Sequence, residues 1–284
     1  MLNNEINIRD PFVLPYKGKY YMYGTRCIQG RGLGFDCYVG TDLKVWSDPV
    51  EIFHKPEDFW ADMNYWAPEV HYYKREFCLF ASFKSQDKCR GTQILKAASP
   101  LGPFLLHSDG PVTPRNWECL DGTFYIDKNG TPYMIFCHEW LQVHNGEICV
   151  IELSKDLKKA VSEPKLLFRA SEAPWIVSIA GGKAEFVTDG PFLYRCKDGA
   201  LLMLWSSFGT QGYTQAIARS DNGDILGNWS QDEKLLFSKD GGHGMLFKGL
   251  DGKVYFTLHS PNNNSEERPN FYEIEEKAKT LYVK

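Results

Sequence analysis

The chain has 284 residues, of which 43% are hydrophobic, 24% charged and 14% aromatic. Its 32 basic and 36 acidic residues give a formal net charge of −4 and are mixed along the chain, which argues against nucleic acid or an anionic membrane surface as a partner. No apolar run approaches the length of a membrane-spanning helix, and the composition is that of a globular protein.

The eight cysteines are scattered without a Cys-x-x-Cys pair or a His/Cys cluster. A chain of this length can bury a core large enough to fold without disulfides. The N-terminus also lacks the basic and apolar regions of a signal peptide. The sequence therefore predicts reduced thiols and a cytoplasmic location.

Five segments share a small or polar pair, an alternating apolar run, a turn and a second aromatic-rich run. Each pattern predicts a β-hairpin. Three of the turns are Asn-Gly or Asp-Gly dipeptides, which suit the positive φ angles of tight hairpins. In chain order the five segments start at Asp10, Ala67, Asp121, Asp189 and His243, and the three turns are Asn129-Gly130, Asp198-Gly199 and Asp251-Gly252.

The spacing of these segments predicts the architecture. Their starting points lie 54 to 68 residues apart, and the two termini together supply about one more period. A period of this length built from about four short strands is one blade of a propeller. The sequence therefore predicts an all-β, five-bladed β-propeller in one domain, residues 1–284, closed by strands from both ends of the chain. An open β-sandwich with fortuitous spacing is the alternative.

Equivalent positions on the innermost strands of a propeller form a ring around its central channel. Here that ring is predicted to contain Asp10, Ala67, Asp121, Asp189 and His243. Carboxylates in a confined ring repel one another unless they share a proton, a cation or a ligand, so the ring is a candidate functional site. The alternative is that each Asp only caps a strand or a turn.

Two carboxyl groups that face each other across a sugar-sized gap can hydrolyse a glycoside. Asp10 and Asp189 come from blades that are not neighbours, and this separation favours an inverting enzyme, which needs room for a water molecule. Asp121 comes from the blade beside that of Asp189. Its charge is therefore expected to raise the pKa of Asp189 and to keep that acid protonated.

Several flat or basic side chains are candidates for binding a sugar. Trp66 directly precedes a ring position, and Trp140 and Phe35 follow innermost hairpins, so their rings could stack on a sugar face. Burial between blades is the alternative for each of them. Arg268, late in the fifth repeat, could bind vicinal hydroxyls or a carboxylate, and its alternative is a plain surface position.

The motifs Arg9-Asp10-Pro11, Trp66-Ala67-Pro68-Glu69, Leu120-Asp121-Gly122, Asp189-Gly190-Pro191 and Gly242-His243-Gly244, in this order and spacing, resemble glycoside hydrolase family 43 over essentially the whole chain. The resemblance implies a five-bladed propeller, inversion of configuration, and activity on arabinofuranosides, xylosides or related plant polysaccharide fragments. It makes Asp10 the general base and Asp121 the group that tunes and orients the acid. It also places His243 where family members hold a central cation, commonly calcium, through water, and Arg268 where an Arg contacts the sugar at the cleavage point.

One position departs from the family pattern, because the general acid is usually Glu and here it is Asp189. The shorter side chain reduces the reach by roughly 1.5 Å, and a misplacement of about 1 Å can cost around a hundredfold in rate. Glu185 and Glu139 are other carboxyl groups near the predicted site, but neither falls in the ring. Asp189 therefore remains the predicted acid.

The leading hypothesis is an inverting, exo-acting glycosidase that removes terminal pentosyl residues from short plant oligosaccharides, as an α-L-arabinofuranosidase or, next, a β-D-xylosidase. No organic cofactor is expected, and no oligomeric state is predicted. One alternative is a carbohydrate-binding propeller that lost catalysis through the change of Glu to Asp. Another is a protein-interaction propeller, which would leave the acidic ring unexplained.

Overall fold

The computed structural model describes residues 1–27, 33–181 and 183–284. These residues form five four-stranded antiparallel sheets, each made of strands that are consecutive in sequence. The first strand of each sheet packs against the first strand of the neighbouring sheets, around a common axis. The predicted all-β, five-bladed propeller is confirmed.

The strands of the five blades have the following bounds. Blade 1 contains β1 (Ile8–Tyr16), β2 (Lys19–Arg26), β3 (Gly34–Gly40) and β4 (Val50–His54), and blade 2 contains β5 (Met63–Tyr73), β6 (Glu76–Ser85), β7 (Lys88–Ala97) and β8 (Leu105–Leu106). Blade 3 contains β9 (Cys119–Ile126), β10 (Pro132–His138), β11 (Glu147–Glu152) and β12 (Lys165–Arg169). Blade 4 contains β13 (Asp189–Arg195), β14 (Leu201–Gly209), β15 (Gly212–Ser220) and β16 (Trp229–Gln231), and blade 5 contains β17 (Gly242–Lys248), β18 (Val254–Ser260), β19 (Arg268–Lys277) and β20 (Thr280–Val283).

The helices are short. The described residues contain one α-helix, α1 (Trp140–Val143), which follows β10, and 3-10 turns at Asn3–Glu5 and Ala170–Glu172. In the described part of the chain no helix has the length and apolar character needed to cross a membrane.

The ends of the chain meet without sharing a sheet. Blade 1 starts with β1 and blade 5 finishes with β20, so the prediction that strands from both termini would close the ring is wrong. Instead β1 packs directly against β17. The junction is held by hydrogen bonds from the Ile8 N–H to the Glu267 carbonyl (3.3 Å) and from Arg268 Nε to the Asn4 carbonyl (2.8 Å).

The turns and the core follow from the sequence pattern. The glycines of the three predicted turns, Gly130, Gly199 and Gly252, have φ angles of 81°, 93° and 83°, which are accessible to glycine at little cost. Large aromatic side chains fill the space between blades. Between blades 1 and 2, for example, the ring centroid of Phe83 lies 5.8 Å from that of Phe35 and 6.1 Å from that of Phe53.

Candidate active site

Each innermost strand is bulged near its beginning. The pairing register shifts after Arg9, Trp66, Leu120, Asp189 and Gly242, which occupy equivalent positions in the five blades. The next residue in every blade has a positive φ: 54° at Asp10, 45° at Ala67, 55° at Asp121, 48° at Gly190 and 52° at His243. A positive φ is costly for a residue with a side chain. Its recurrence at the equivalent position of all five innermost strands therefore identifies which residues form the ring around the channel.

This geometry corrects the predicted ring at blade 4. The ring member there is Gly190, and Asp189 lies one residue earlier, at the position equivalent to Arg9 and Trp66. A Cβ atom on Gly190 would lie 2.7 Å from Cδ2 of His243. Because no side chain fits at the ring position, blade 4 supplies its carboxyl group from the preceding residue.

The three carboxyl groups nevertheless line one cleft. The cleft has a volume of about 510 Å³ and lies at the end of the channel where the innermost strands begin. Of the predicted site residues, the cleft brings together Asp10, Asp121, Asp189, Trp66, Trp140 and His243.

Asp10 is held as a carboxylate by two donors. The Thr25 hydroxyl donates to Oδ2 (2.6 Å), and Nδ1 of His243 lies 3.1 Å from Oδ1. Thr25 is itself fixed by accepting a hydrogen bond from the Ala67 N–H (2.8 Å). Burial alone would raise the pKa of Asp10, but the charge and hydrogen bond of His243, together with other basic neighbours such as Arg9, outweigh it and hold that pKa well below its usual range.

The two histidines beside Asp10 have opposite protonation. Burial opposes a charge on His243, but Asp10 and Asp121, 3.1 and 3.7 Å from its Nδ1, raise its pKa to about 10. Burial lowers the pKa of His259 to about 4. Its Nδ1 accepts the Asp10 N–H at 3.1 Å and its Nε2 lies 3.2 Å from the side-chain oxygen of Asn262. His243 is therefore the cation of the ring, and His259 is a neutral support.

Asp189 is held in the protonated state, opposite to the ionised state of Asp10. Burial raises its pKa well above the usual range, and the Asp121 carboxylate adds to the effect, as predicted from their neighbouring blades. The Tyr213 hydroxyl donates to Oδ2 of Asp189 (3.0 Å). Asp121 accepts the Gly190 N–H at 3.0 Å and faces His243, so the upward shift of its pKa by burial is partly offset. The proton of this pair therefore resides on Asp189.

The expected cation at His243 does not fit as a directly bound ion. Nδ1 of His243 faces the carboxylates of Asp10 and Asp121 and carries a proton there, so it cannot donate a lone pair to a metal. Among the described residues no group of three or more His, Cys, Asp or Glu side chains is arranged to hold a metal. The water-mediated cation stays a prediction, and no step below depends on it.

Two predicted sugar-binding residues lie outside the cleft. Phe35 is fully buried between blades 1 and 2 and stacks 6.1 Å from Phe53, so its assignment to substrate is wrong. Arg268 donates to the backbone carbonyls of Asn4 and Glu267 at the junction of the chain ends (2.8 and 2.9 Å). It braces that junction and lines a different surface cavity.

Sequence reasoning missed several cleft residues. Arg9 and Thr25 line the cleft, and so does Glu139, which the motif analysis left outside the ring. Glu139 is buried and forms an ion pair with Arg90, whose guanidinium carbon lies 4.3 Å from the ring centroid of Trp66. The signal for Arg9 was available, because it precedes a ring position just as Trp66 does. Glu139 and Thr25 belong to no repeated motif.

Comparison with solved structures gives close matches. An endo-arabinase from Bacteroides thetaiotaomicron VPI-5482 is 41% identical, with 98% of each chain covered and a TM-score of 0.91. An endo-1,4-beta-xylanase from the same organism is 25% identical, with 100% of this chain and 96% of that chain covered and a TM-score of 0.80.

A curated relative corrects the predicted location. Extracellular endo-alpha-(1->5)-L-arabinanase 1 of Bacillus subtilis (strain 168) is 25% identical over 148 residues, which are 49% of this chain and 45% of the relative. Because that relative is extracellular, the predicted cytoplasmic location is wrong. The cysteines are free, but most are buried, and burial raises the pKa of thiols such as Cys119 and Cys137. Such thiols are unreactive, so their reduced state does not report the compartment.

The family assignment covers nearly the whole chain. The model of glycosyl hydrolases family 43 matches residues 5–277. That range contains all five bulged strand starts and the three carboxyl groups of the cleft. On this match, and on the structural likeness to an endo-arabinase at 41% identity, the chain belongs to glycosyl hydrolases family 43.

Proposed function

We propose that this chain is an inverting glycoside hydrolase that cleaves α-L-arabinofuranosyl linkages within arabinan chains, with Asp10 as the general base and Asp189 as the general acid. The observation that carries the proposal is the pair of opposite protonation states in one cleft. Asp10 has a lowered pKa and Asp189 a strongly raised one. Inverting hydrolysis needs one ionised and one protonated carboxyl group at neutral pH.

Asp10 is built to activate water. Its two oxygens accept hydrogen bonds from Thr25 and His243, which fixes the plane of the carboxylate. A carboxylate oxygen can accept more than one hydrogen bond, so Asp10 can still accept a proton from a water molecule that attacks the anomeric carbon. The new C–O bond forms on the face opposite the bond that breaks, which inverts the configuration.

Asp189 is built to protonate the leaving oxygen. Burial keeps Tyr213 as a phenol, because it raises the pKa of that hydroxyl. The phenol donates to Oδ2 of Asp189, so the transferable proton belongs on the other carboxyl oxygen, Oδ1. Transfer of that proton as the glycosidic bond breaks leaves a neutral hydroxyl on the departing sugar and a carboxylate on Asp189. After the products leave, Asp10 gives the proton that it took from water to the solvent and Asp189 takes a proton from the solvent, which restores the starting state of both groups.

Asp121 and His243 keep the acid and the base in these states. Nδ1 of His243 lies 3.1 Å from Asp10 and 3.7 Å from Asp121, so its charge stabilises both carboxylates. The hydrogen bond from the Gly190 N–H to Asp121 fixes that carboxylate next to blade 4. Like charges in proximity cannot both ionise readily, and the Asp121 charge therefore favours the protonated form of Asp189.

The likeness to enzymes of known action supports arabinan as the substrate. One relative is named an endo-arabinase and another an endo-alpha-(1->5)-L-arabinanase. The likeness to these two endo-acting enzymes favours cleavage inside a chain over the release of terminal arabinofuranosyl residues expected from the sequence. Cleavage of a xylan backbone is the second candidate, supported by the 25% identity to an endo-1,4-beta-xylanase.

The test is hydrolysis of linear α-1,5-arabinan and of xylan by the wild-type protein and by Asp10→Asn, with product size followed by chromatography and product anomers by NMR. The proposal expects arabinan to be cut to mixed short oligosaccharides, β-configured reducing ends to appear first, and Asp10→Asn to be inactive. Release of single sugars only would favour the exo-acting hypothesis. Binding without turnover, unchanged in Asp10→Asn, would favour a carbohydrate-binding propeller and overturn the enzymatic proposal.

A further inference from the structure

Beside the catalytic cleft lies a second pocket, of about 400 Å³, whose walls include Trp60, Asp87, Arg90, Asp109 and Arg115. We propose that this Trp60 pocket is a distal sugar-binding subsite that holds the arabinan chain some residues away from the bond being cut. The proposal rests on the proposed function, because it assigns the same linear neutral pentosyl chain to both places. The Trp60 pocket would thus favour long substrates over short ones.

The direction of the strands places the Trp60 pocket on the face that carries the cleft. The innermost strand β5 begins at the cleft and pairs antiparallel with β6, which therefore ends on the cleft face at Ser85. The turn to β7, with Asp87 and Lys88, lies on that face, as does the segment 107–118 that leads from β8 into β9. These two segments supply most of the pocket walls.

Arg90 joins the pocket to the cleft. It lines the Trp60 pocket, while its guanidinium covers Trp66 and pairs with Glu139, both of which line the cleft. Its exposed fraction is 4%, and its Nε is buried without a hydrogen-bond partner in the described part of the chain. Arg90 therefore forms a wall shared by the Trp60 pocket and the two cleft residues Trp66 and Glu139.

Trp60 has the properties of a sugar-stacking platform. Its Nε1 donates to the side-chain oxygen of Gln93 (2.6 Å), and its ring lies against Phe59 at 5.8 Å between centroids. These contacts hold the orientation of the indole, yet the residue remains partly exposed. Nζ of Lys88 lies over this ring, 5.9 Å from its centroid. When this flexible side chain moves aside, the fixed indole can stack on the apolar side of a sugar with little loss of its own side-chain entropy.

The walls of the pocket are held rigidly to the site. A Cβ atom on Gly91 would lie 2.7 Å from Cβ of Pro111, so this glycine lets segment 107–118 press against β7. The Gln142 side chain clamps the same segment by accepting from the Glu118 N–H (2.7 Å) and donating to the Asn116 carbonyl (3.0 Å). Gln142 belongs to α1, which also carries Trp140 of the cleft.

The charges of the pocket suit a neutral ligand. Lys88 and Arg115 bring positive charge, Asp87 and Asp109 bring negative charge, and the charge of Arg90 is matched by Glu139. A balanced set of charged side chains beside one aromatic ring can bind vicinal hydroxyls through directed hydrogen bonds. A uronic acid or another anionic chain would meet no excess of positive charge.

The test compares linear α-1,5-arabino-oligosaccharides of two and six residues as substrates for wild type, Trp60→Ala, Trp60→Phe and Arg115→Ala. Trp60→Ala is expected to lower kcat/KM for the hexasaccharide about tenfold, through KM, while kcat/KM for the disaccharide changes less than twofold. Trp60→Phe should keep most of the preference for the longer chain, and Arg115→Ala should lose part of it. Tyr282→Ala, which removes a partly exposed aromatic ring on β20, is the control and should match wild type.

Three outcomes would overturn the subsite. They are an equal loss on both substrates in Trp60→Ala, an unchanged hexasaccharide rate in a folded Trp60→Ala protein, and a loss of the same size in Tyr282→Ala. Failure of the proposed function looks different, because wild type would then hydrolyse neither oligosaccharide. In that case calorimetric binding of the hexasaccharide decides the subsite, and equal affinity for wild type and Trp60→Ala would reject it.

Discussion

The two sides of the cleft show how one ring of positions yields opposite chemistry. On the side of blades 1 and 5, Asp10 accepts from Thr25 and faces the charged His243. On the side of blade 4, Asp189 accepts from the neutral phenol of Tyr213 and faces the like charge of Asp121. Burial pushes the pKa of both carboxyl groups upward, so the sign of the nearest charge decides which one is ionised.

The backbone contributes to this difference. Asp10 stands at the ring position, where a positive φ directs it toward its neighbours, and Asp189 stands one residue before the ring. Gly190 at the ring position leaves room for the His243 side chain. A repeated blade therefore need not place equivalent residues in equivalent roles, because a single glycine moves the functional side chain to the adjacent position.

The largest expected effect is on the base side. Asp10→Asn removes the carboxylate that accepts the proton of water, and we expect kcat to fall by about a thousandfold or more on every substrate, whatever its leaving group. Steady-state hydrolysis of arabinan and of an activated aryl glycoside checks this. A loss confined to substrates with poor leaving groups would mean that the base and acid are exchanged.

On the acid side the effect should depend on the leaving group. Asp189→Asn removes the proton donor, so turnover of arabino-oligosaccharides should fall by about a hundredfold or more. Aryl glycosides of arabinobiose with acidic phenols need little protonation and should lose much less. Rates across phenols of different acidity measure the difference, and equal losses for all of them would contradict the assignment.

The charged imidazole of His243, which lies between the two sides of the cleft, should contribute to the stability of the folded chain. His243→Asn leaves Asp10 without its charged partner, and breaking a buried ion pair costs about 3 kcal/mol in the free energy of unfolding. The pKa of His243 rises from 6.5 to about 10 in the folded chain, and that of Asp10 falls below its ordinary 3.8. The difference from wild type should therefore be largest between about pH 4 and 6.5 and should vanish as the pH rises through about 10.

Urea unfolding at pH 6 and at pH 10 measures this difference. His54→Asn is the matched control, because the imidazole of His54 is largely exposed, with 63% of its side-chain surface accessible. It should leave the free energy of unfolding unchanged within about 0.5 kcal/mol. A constant difference between wild type and His243→Asn at both pH values would show that the imidazolium is not the source of the stability.

A smaller effect is expected for the support of the acid. In wild type the hydrogen bond from Tyr213 favours the carboxylate form of Asp189 and lowers the pKa of Asp189. Tyr213→Phe removes this hydrogen bond. Without this hydrogen bond the alkaline limb of kcat/KM should move upward by about one pH unit or less. A downward move would mean that the phenol does not donate to the acid.

The smallest effect is expected for the arginine that lies away from the cleft. Arg268→Ala should change kcat/KM less than twofold, because its side chain binds backbone carbonyls at the chain junction. Arg9→Ala should raise KM several-fold, because Arg9 lines the cleft. Measurement of both variants on the same arabino-oligosaccharide shows whether Arg268, the sugar-binding arginine predicted from the sequence, or Arg9, the arginine that lines the cleft, contributes to substrate binding.

The fold was predictable because its signals are local and repeated. Alternating strands and Asn-Gly or Asp-Gly turns recur at a blade-sized period, and Gly130 and Gly199 have the φ angles that such turns need. Closure of the ring was not predictable from the period. The number of residues left at the two ends is about one blade, but residues of the N-terminal segment, such as Asn4, contact blade 5 without forming a strand in its sheet.

The site was predictable only where the motif repeats. Asp10, Asp121 and His243 follow from the repeat alone. The displacement of Asp189 was missed although the sequence carries a signal for it, because Pro11, Pro68 and Pro191 each follow the ring position and align Gly190 with Asp10 and Ala67. The burial of Phe35 could not be predicted from the sequence, because an aromatic residue in a strand can face either a blade interface or a cleft. Thr25, on β2, contributes through hydrogen bonds with Asp10 of its own blade and with Ala67 of blade 2, and no sequence motif links it to either residue.

The protonation of Asp189 is the central claim, and the pH dependence of kcat/KM tests it most directly. An aryl glycoside of arabinobiose with a weakly acidic phenol, which needs a proton from the general acid in order to leave, would be measured from pH 4 to 10 in wild type and in Asp189→Asn. Wild type should lose activity on the alkaline side as Asp189 ionises, and the variant should lack that limb. An unchanged alkaline limb in Asp189→Asn would contradict the account and point to another acid, such as the buried Glu139, whose pKa burial also raises.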